Sequence, residues 1–157
     1  MIFVTVGMHT QSFDRLLKKM DEICGRIAEE VTMQVGHTAF RPKNAKWFDF
    51  ATESEIREFC RQARVVVTQP AMSVLDALDQ GTPVIVVPRQ KRYNEVIDDH
   101  QVAFAQVLEK EGKVVAVYDV DKLEQALART DLGLAHVTRD SRLANALRRY
   151  IAEFERR

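Results

Sequence analysis

The sequence predicts a single α/β domain built on a doubly wound, parallel β-sheet. Short apolar runs rich in β-branched residues alternate with longer segments of helical periodicity along the chain, and this alternation is typical of the fold class. Residues 64–101 contain a complete strand–helix–strand unit, whose right-handed crossover requires the two strands to be parallel. The 157 residues suffice for one core, and no repeat, low-complexity tract or linker divides them.

The six predicted strands are short and apolar, as expected for strands that are buried on both faces. They comprise residues 2–6, 31–35, 47–50, 65–67, 84–87 and 114–117. Gly7 directly follows the first strand, and Gly36 directly follows the second. Pro88 ends the fifth strand, because proline cannot donate a hydrogen bond to a sheet.

Six helices are predicted from apolar residues at spacings of three and four. The first begins near Phe13, and its apolar face reaches Ile27. The second begins at a capping box formed by Thr52 and Glu55. The third ends at Gly81, where a left-handed cap is expected. The last four helices comprise residues 72–80, 97–111, 121–128 and 141–157.

The last predicted helix, residues 141–157, is amphipathic. Five arginines lie off its apolar stripe, which consists of Leu143, Leu147, Tyr150, Ile151 and Phe154. In one interpretation the stripe packs on the sheet of the domain itself. In the other, part of the helix faces a partner subunit or an anionic membrane surface.

Composition argues against several classes of protein. Lys+Arg and Asp+Glu both number 23, so no basic excess indicates nucleic-acid binding. No apolar run approaches the roughly 20 residues needed to cross a bilayer, and Met1 leads directly into a strand pattern, which predicts no secretory signal. Cys24 and Cys60 are expected to be reduced core thiols of a cytoplasmic protein. The four histidines lack metal-ligand spacing, so no metal site is predicted.

Several polar loops are expected to meet at one edge of the sheet, because ligands of such folds bind outside the carboxyl ends of the strands. These loops comprise residues 7–12, 36–40, 68–73 and 89–101. Gly7 and Gly36 permit a sharp turn or a close approach of ligand to backbone. Each glycine alone is explained as a residue that commonly ends a strand, whereas the two together favour a binding site.

The third loop leads from a strand into a helix N-terminus, which suits a phosphate. The hydroxyls of Thr68 and Ser73 are candidate donors. The alternative is that Ser73 simply caps the helix, and Pro70 counts against the site because it has no N–H. One turn further on, Asp76 is a candidate acceptor for a ribose diol. An exposed helix carboxylate is the alternative.

The fourth loop contains a dense cluster of hydrogen-bonding side chains that suits sugar hydroxyls. Its members are Asn94, Glu95, Asp98, Asp99, His100 and Gln101. A solvated loop leading into a capped helix is the alternative. Arg89 is a candidate partner for a phosphate or for one of these carboxylates.

Several of these motifs resemble the glycosyltransferase family 28 C-terminal domain. The resemblance extends from Met1 to about Val117. It rests on the opening MIFVTVGMHTQSFDRLL, QVGH at 34–37, Gly81-Thr82-Pro83, Pro88-Arg89, Asn94-Glu95 and Asp99-His100-Gln101. It implies a Rossmann-like doubly wound sheet equivalent to the C-terminal half of a GT-B glycosyltransferase. The chain is similar in this respect to small stand-alone donor-binding subunits, such as the catalytic subunit of the dolichol-linked N-acetylglucosamine transferase and bacterial exopolysaccharide subunits.

The resemblance implies an inverting transfer of a sugar, such as GlcNAc or Gal, from a UDP-sugar to a lipid-linked acceptor without a metal. A membrane-associated partner subunit would bind the acceptor and supply the general base, and the chain would lie at the cytoplasmic side of the membrane. His9 is the one candidate base in this chain.

The same resemblance assigns roles to individual positions. Asp76 would hold the ribose, and Thr68, Gln69 and Ser73 would lie in the diphosphate loop. The sugar would be held by Asp99, His100 and Gln101, with Gly7, Gly36, His37, Arg89, Asn94 and Glu95 completing the site.

The sequence departs from the family pattern in the diphosphate loop. The usual HGGxGS is replaced by Thr68, Gln69, Pro70 and Met72, with only the final Ser73 kept, and Met8 takes the Thr position before His9. These replacements favour a rival hypothesis, in which the chain is a non-catalytic scaffold with a degenerate donor site. An unrelated nucleotide-binding module is disfavoured because the sequence has no GxGxxG or GKS/GKT motif.

Overall fold

The computed structural model describes residues 1–129 and, in the C-terminal region, Asn145, Arg148, Arg149, Ala152 and Glu153. Residues 1–129 form one six-stranded sheet in which every pair of neighbouring strands is parallel. The strands are β1 Ile2–Thr5, β2 Val31–Gln34, β3 Lys46–Phe48, β4 Val65–Thr68, β5 Val84–Val86 and β6 Val115–Ala116. Their order in the sheet is β3-β2-β1-β4-β5-β6, so the predicted parallel doubly wound fold is confirmed.

Helices cover both faces of this sheet. They are α1 Asp14–Cys24, α2 Glu53–Gln62, α3 Met72–Asp79, α4 His100–Lys110 and α5 Leu123–Leu127, with 3-10 turns at Lys91–Tyr93 and Val120–Lys122. Strand side chains alternate between two apolar cores: Val65 and Val67 pack with α1 and α5, whereas Val66 packs with α2, α3 and α4. The near-continuous apolar strands of the sequence therefore reflect burial on both faces.

Two predicted helix ends that depend on residues close together in the sequence are confirmed. Thr52 and Glu55 form both bonds of the predicted capping box at the start of α2. Gly81 has φ 73° beyond the end of α3, as expected for a left-handed helix terminus.

Several predicted boundaries were wrong by a few residues. α1 ends at Cys24 rather than near Ile27. Beyond Cys24 the backbone forms a tighter turn, in which the Arg26 N–H donates to the carbonyl oxygen of Ile23, three residues earlier, at 2.8 Å. α4 begins at His100 rather than at residue 97, because the Asp98 carboxylate accepts the His100 N–H at 3.1 Å and holds the preceding residues in a bend. β3 covers Lys46–Phe48 rather than 47–50.

Both cysteines are free thiols, as predicted. Burial raises the pKa of the Cys24 thiol to about 11 and that of the Cys60 thiol to about 12. The apolar stripe predicted for residues 141–157 lies outside the described residues, although Asn145, Arg148, Arg149, Ala152 and Glu153 are helical. Within the part of the chain that the structure describes, no helix has the length and apolar character needed to cross a membrane.

Candidate functional site

Three of the predicted loops meet at the carboxyl edge of the sheet. Gly7 and Gly36 follow β1 and β2 with φ of 67° and 56°, in the left-handed region that favours glycine. A Cβ on Gly36 would lie 2.7 Å from the Gly7 carbonyl oxygen, and a Cβ on Gly7 would lie 3.1 Å from Nε2 of Gln69. The loops therefore touch through their glycine backbones, and this crowding explains both glycines.

Two buried polar side chains at the ends of β1 and β2 fix the first loop. The Thr5 hydroxyl donates to the Gln34 side-chain oxygen and accepts the Gly7 N–H at 3.2 Å. Gln34 Nε2 lies 3.5 Å from the Gly7 carbonyl oxygen. The sequence analysis gave Thr5 no role and included Gln34 only as part of the QVGH motif, because each lies in a largely apolar strand pattern. The available signal was a polar residue at the carboxyl end of each strand.

The loop between β4 and α3 places a hydroxyl pair at the N-terminus of a helix. The Thr68 and Ser73 hydroxyl oxygens are 2.6 Å apart. Ala71 is the N-cap residue of α3 and forms no side-chain capping bond. Ser73 therefore lies in the first helical turn rather than at the cap, where its hydroxyl orients Thr68 beside the positive end of the helix dipole.

Asp76 lies on the side of α3 that faces α2. Its carboxylate is 3.5 Å from Nε of Arg57, and its side chain is 18% exposed. Burial raises the pKa of Asp76, and the Arg57 guanidinium partly opposes that rise. Arg57 also lines an open depression of about 480 Å³ with Thr52, Glu53 and Ser54. Asp76 thus contacts a residue that lines a recess at the N-terminal end of α2.

Arg89 is directed into the protein rather than towards the surface. It is 0% exposed, and its guanidinium stacks 4.5 Å from the centre of the Phe13 ring. Nη1 donates to the carbonyl oxygens of Gln11 at 2.9 Å and Ser12 at 3.0 Å, and Nε donates to the Gln69 side chain. Burial lowers the pKa of Arg89 to about 10, so the residue remains a cation at neutral pH.

Glu95 and Gln101 belong to the same buried network. Glu95 is 5% exposed, accepts two bonds from Arg15 at 2.9 and 3.0 Å, and accepts the Gln90 N–H at 3.0 Å. The Gln101 side-chain oxygen accepts the Arg89 N–H at 2.9 Å. The structure thus places Gln69, Arg89, Glu95 and Gln101 inside the protein, where they hold the site loops together. Sequence reasoning missed Arg15, a charged residue among the apolar positions of α1.

Other predicted site residues face solvent at the same edge. Asn94 is exposed with φ 57°, and Asp99 accepts the Lys91 N–H at 2.8 Å. The His100 ring contacts the Asp98 carboxylate. His37 is exposed and packs edge-on against Phe50, with ring centres 4.9 Å apart. Solvent-facing side chains at this edge therefore come from the second and fourth predicted loops, residues 36–40 and 89–101.

His9 lies on the first of these loops. Its ring nitrogen Nδ1 accepts the Gln11 N–H at 3.1 Å. Partial burial lowers the pKa of His9, and the nearby charges of Arg89 and His100 lower that pKa further. The edge thus combines a helix N-terminus, a neutral imidazole and a buried guanidinium, and this combination suits an anionic ligand with hydroxyl groups.

Comparisons with known proteins match the fold of the chain. A model of the family described as "Glycosyltransferase family 28 C-terminal domain" matches residues 1–151. A comparison with curated proteins found no match.

Solved structures with a similar fold include two glycosyltransferases and MurG. The glycosyltransferase of kitacinnamycin aligns with 18% identity and a TM-score of 0.68 over 99% of this chain and 42% of that one. CalG4, the calicheamicin glycosyltransferase, aligns with 16% identity and a TM-score of 0.65 over 98% and 41%. MurG from Acinetobacter baumannii aligns with 17% identity and a TM-score of 0.56 over 83% and 42%. The chain thus spans about two fifths of the length of these structures.

Proposed function

The chain belongs to the glycosyltransferase family 28 C-terminal domain family, and we propose that it is the donor-binding domain of an inverting UDP-sugar glycosyltransferase. Its fold is that of the C-terminal half of GT-B glycosyltransferases. The observation that carries the proposal is the family match over residues 1–151, which includes all four loops at the carboxyl edge.

In this proposal the UDP-sugar spans the carboxyl edge of the sheet. Asp76 holds the ribose, with the depression beside Arg57 next to it. The diphosphate lies at the N-terminus of α3 beside Thr68 and Ser73, where backbone N–H groups and the helix dipole favour negative charge. The sugar contacts side chains of the fourth loop, including the exposed Asp99 and the half-buried His100.

The proposed reaction is a direct displacement at the anomeric carbon. An acceptor hydroxyl oxygen forms the new bond to that carbon, the bond to the diphosphate oxygen breaks, and UDP leaves with the electron pair. The acceptor proton passes to a general base on the acceptor-binding half. Fixed dipoles and the cation of Arg89 stabilise the charge that develops on UDP, so we expect the reaction to need no metal ion.

We also propose that the acceptor-binding half is a membrane-associated partner subunit that holds a lipid-linked acceptor at the cytoplasmic side of the membrane, as in exopolysaccharide or related glycan synthesis. One observation supports a second domain or subunit at the carboxyl edge. Met8 and Ile97 are 76% and 80% exposed on two of the edge loops, as expected for apolar residues that a second domain covers.

A non-catalytic scaffold is the second candidate function. The observation that favours it is Gln69, which is buried and bonded to Arg89 in the loop where relatives carry glycine. Pro70 removes a further N–H from the same loop.

Isothermal titration of the chain with UDP, UDP-GlcNAc, UDP-Gal and ADP in the presence of EDTA distinguishes the two functions. A donor-binding domain binds UDP and at least one UDP-sugar more tightly than ADP. The scaffold hypothesis predicts no heat of binding with any of the four. A requirement for added divalent metal would contradict the metal-free mechanism.

A further inference from the structure

The orientation of the His9 ring is fixed by a backbone group. The Gln11 N–H donates to Nδ1 of His9 at 3.1 Å. A backbone amide only donates hydrogen bonds, so Nδ1 must present its lone pair to it. The neutral ring then carries its proton on Nε2. His9 therefore offers an N–H group, rather than a lone pair, at its remaining nitrogen.

The buried Arg89 holds the same loop through hydrogen bonds to its backbone carbonyl groups. Gln11 holds the His9 ring with its N–H and accepts Arg89 Nη1 at 2.9 Å with its carbonyl oxygen, and the Ser12 carbonyl accepts the same nitrogen at 3.0 Å. At the other end of the loop, the Thr5 hydroxyl accepts the Gly7 N–H at 3.2 Å. The imidazole is thus held by a backbone that is fixed on both sides.

The surroundings of His9 favour the neutral ring. Partial burial, the Arg89 guanidinium and the His100 ring all lower the pKa of His9. Protonation would also place a hydrogen on Nδ1, where it would oppose the Gln11 N–H. These effects act in the same direction and preserve the arrangement in which Nε2 is the donor.

We propose that His9 binds the diphosphate of the nucleotide-sugar through its Nε2–H and does not serve as the general base. The assignment rests on the proposed function and gives His9 a different role from the one expected from the sequence. A general base needs a free lone pair, and the lone pair of His9 is used within its own loop. Diphosphate oxygens are suitable acceptors for such a donor, because its loop touches Gln69 just before α3, and the N-terminus of that helix favours negative charge.

This role also suits the chemistry of the leaving group. Negative charge grows on the diphosphate as the bond to the anomeric carbon breaks, so a donor placed there binds more strongly in the transition state than in the ground state. A neutral donor keeps its proton at neutral pH and releases UDP more readily than a fixed cation would.

Two measurements on the full chain test the proposal. Long-range ¹H–¹⁵N correlation spectra of the free protein at pH 7.5, with His9 assigned through the His9→Gln variant, report which ring nitrogen is protonated. We expect a protonated Nε2 and an unprotonated Nδ1. The opposite tautomer overturns the proposal whatever the chain binds.

UDP titrations of matched variants test the ligand. A Gln side chain places its amide nitrogen near the position of Nε2, whereas Asn places it near Nδ1. We therefore expect His9→Gln to keep UDP affinity within about threefold of wild type and both His9→Asn and His9→Ala to lose about tenfold, the effect of one bond to a charged group. Thermal unfolding of each variant shows whether the fold is retained.

The outcomes separate this proposal from the proposed function. Equal UDP binding by wild type and His9→Ala overturns the role of His9 and leaves the donor-binding function intact. Weak binding by His9→Gln, equal to that of His9→Ala, also overturns the role of Nε2–H. Failure of wild type to bind UDP overturns the proposed function and the diphosphate assignment together.

Discussion

Arg15 on α1 and Glu95 in the loop after β5 form a bidentate ion pair. Nε of Arg15 is 2.9 Å from Oε1 of Glu95, and Nη2 of Arg15 is 3.0 Å from Oε2. The two residues are 80 positions apart in the sequence. Their side chains are 14% and 6% exposed, and Arg15 Nη2 also donates to the Pro88 carbonyl oxygen at 3.0 Å. The pair ties the first helix to the loop that carries Asn94, Asp99 and His100.

Loss of Glu95 is expected to destabilise the whole domain. Glu95→Ala leaves the guanidinium of Arg15 buried without its carboxylate, and removing one partner of a buried pair costs about 3–5 kcal/mol. Urea denaturation measures the change in the free energy of unfolding. Glu58→Ala is the matched control, because Glu58 pairs with Arg61 at the surface and such pairs contribute little. Equal stability of the two variants would contradict a structural role for Glu95.

Gly36→Ala is expected to disrupt the close contact between the loops that follow β1 and β2. Alanine at φ 56° has a strained backbone, and its Cβ would lie 2.7 Å from the Gly7 carbonyl oxygen. Gly112→Ala is the control, because Gly112 has φ 67° and no atom within 4 Å of its added Cβ. The control carries only the backbone strain, about 1–2 kcal/mol.

Thermal and urea unfolding are expected to show a larger loss of stability in Gly36→Ala than in Gly112→Ala. UDP titration should show weaker binding only in Gly36→Ala, because Gly112 lies at the opposite edge of the sheet. Equal effects of the two substitutions on stability and on UDP binding would show that the close approach of Gly36 to Gly7 is unimportant.

Asp76→Asn is expected to weaken nucleotide binding without loss of stability at neutral pH. Burial raises the folded-state pKa of Asp76, so ionisation of this carboxyl opposes folding. Its favourable contribution is complete below the unfolded pKa of about 3.9 and declines as pH rises through the higher folded pKa. The asparagine, which does not ionise, therefore becomes more stable relative to wild type as pH increases.

Urea denaturation of wild type and Asp76→Asn between pH 3 and pH 8 tests the stability part. UDP titration at pH 7.5 should show a loss of about 1.5–3 kcal/mol, the value of a hydrogen bond to a charged group. Unchanged UDP affinity in the variant would refute the ribose assignment. A fall in relative stability of the variant with rising pH would contradict the direction of the pKa shift.

Both cysteines are expected to resist modification in the folded protein. Burial raises the pKa of Cys24 to about 11 and that of Cys60 to about 12, so neither forms an appreciable amount of the reactive thiolate at pH 8. Ellman's reagent should react slowly with the native chain and rapidly in guanidinium chloride. Rapid reaction of two thiols in the native chain would show that these helices open readily.

The parts of the fold that were predictable from the sequence are specified by local signals. The capping box of Thr52 and Glu55, the left-handed Gly81 and the apolar runs of β1, β2, β4 and β5 each depend on residues that are close in the chain. Parallel pairing then followed from the single crossover between β4 and β5. Short strands at the sheet margin, such as β3 and β6, were predicted with less accurate ends because each pairs with a neighbouring strand on one side only.

The interior of the candidate site was not predictable in the same way. Arg89 and Glu95 have side chains that are ordinarily exposed, and the sequence suggested contacts with a ligand. Their burial depends on Arg15, Gln11 and Ser12, which lie more than 70 positions away. The meeting of the candidate site loops at the carboxyl edge could be deduced from topology, whereas the division between supporting and exposed side chains required the packed structure.

The most direct test of the account is a map of UDP binding on the backbone. Amide ¹H–¹⁵N spectra of the full chain, recorded during titration with UDP in the presence of EDTA, report which residues sense the ligand. The account predicts saturable shifts that are largest at Gly7, Gly36, Ser73 and Asp76, at the carboxyl edge of the sheet, and small at Gly81 and Gly112, at the opposite edge. Absence of shifts, or a cluster of shifts around Gly81 and Gly112, would contradict it.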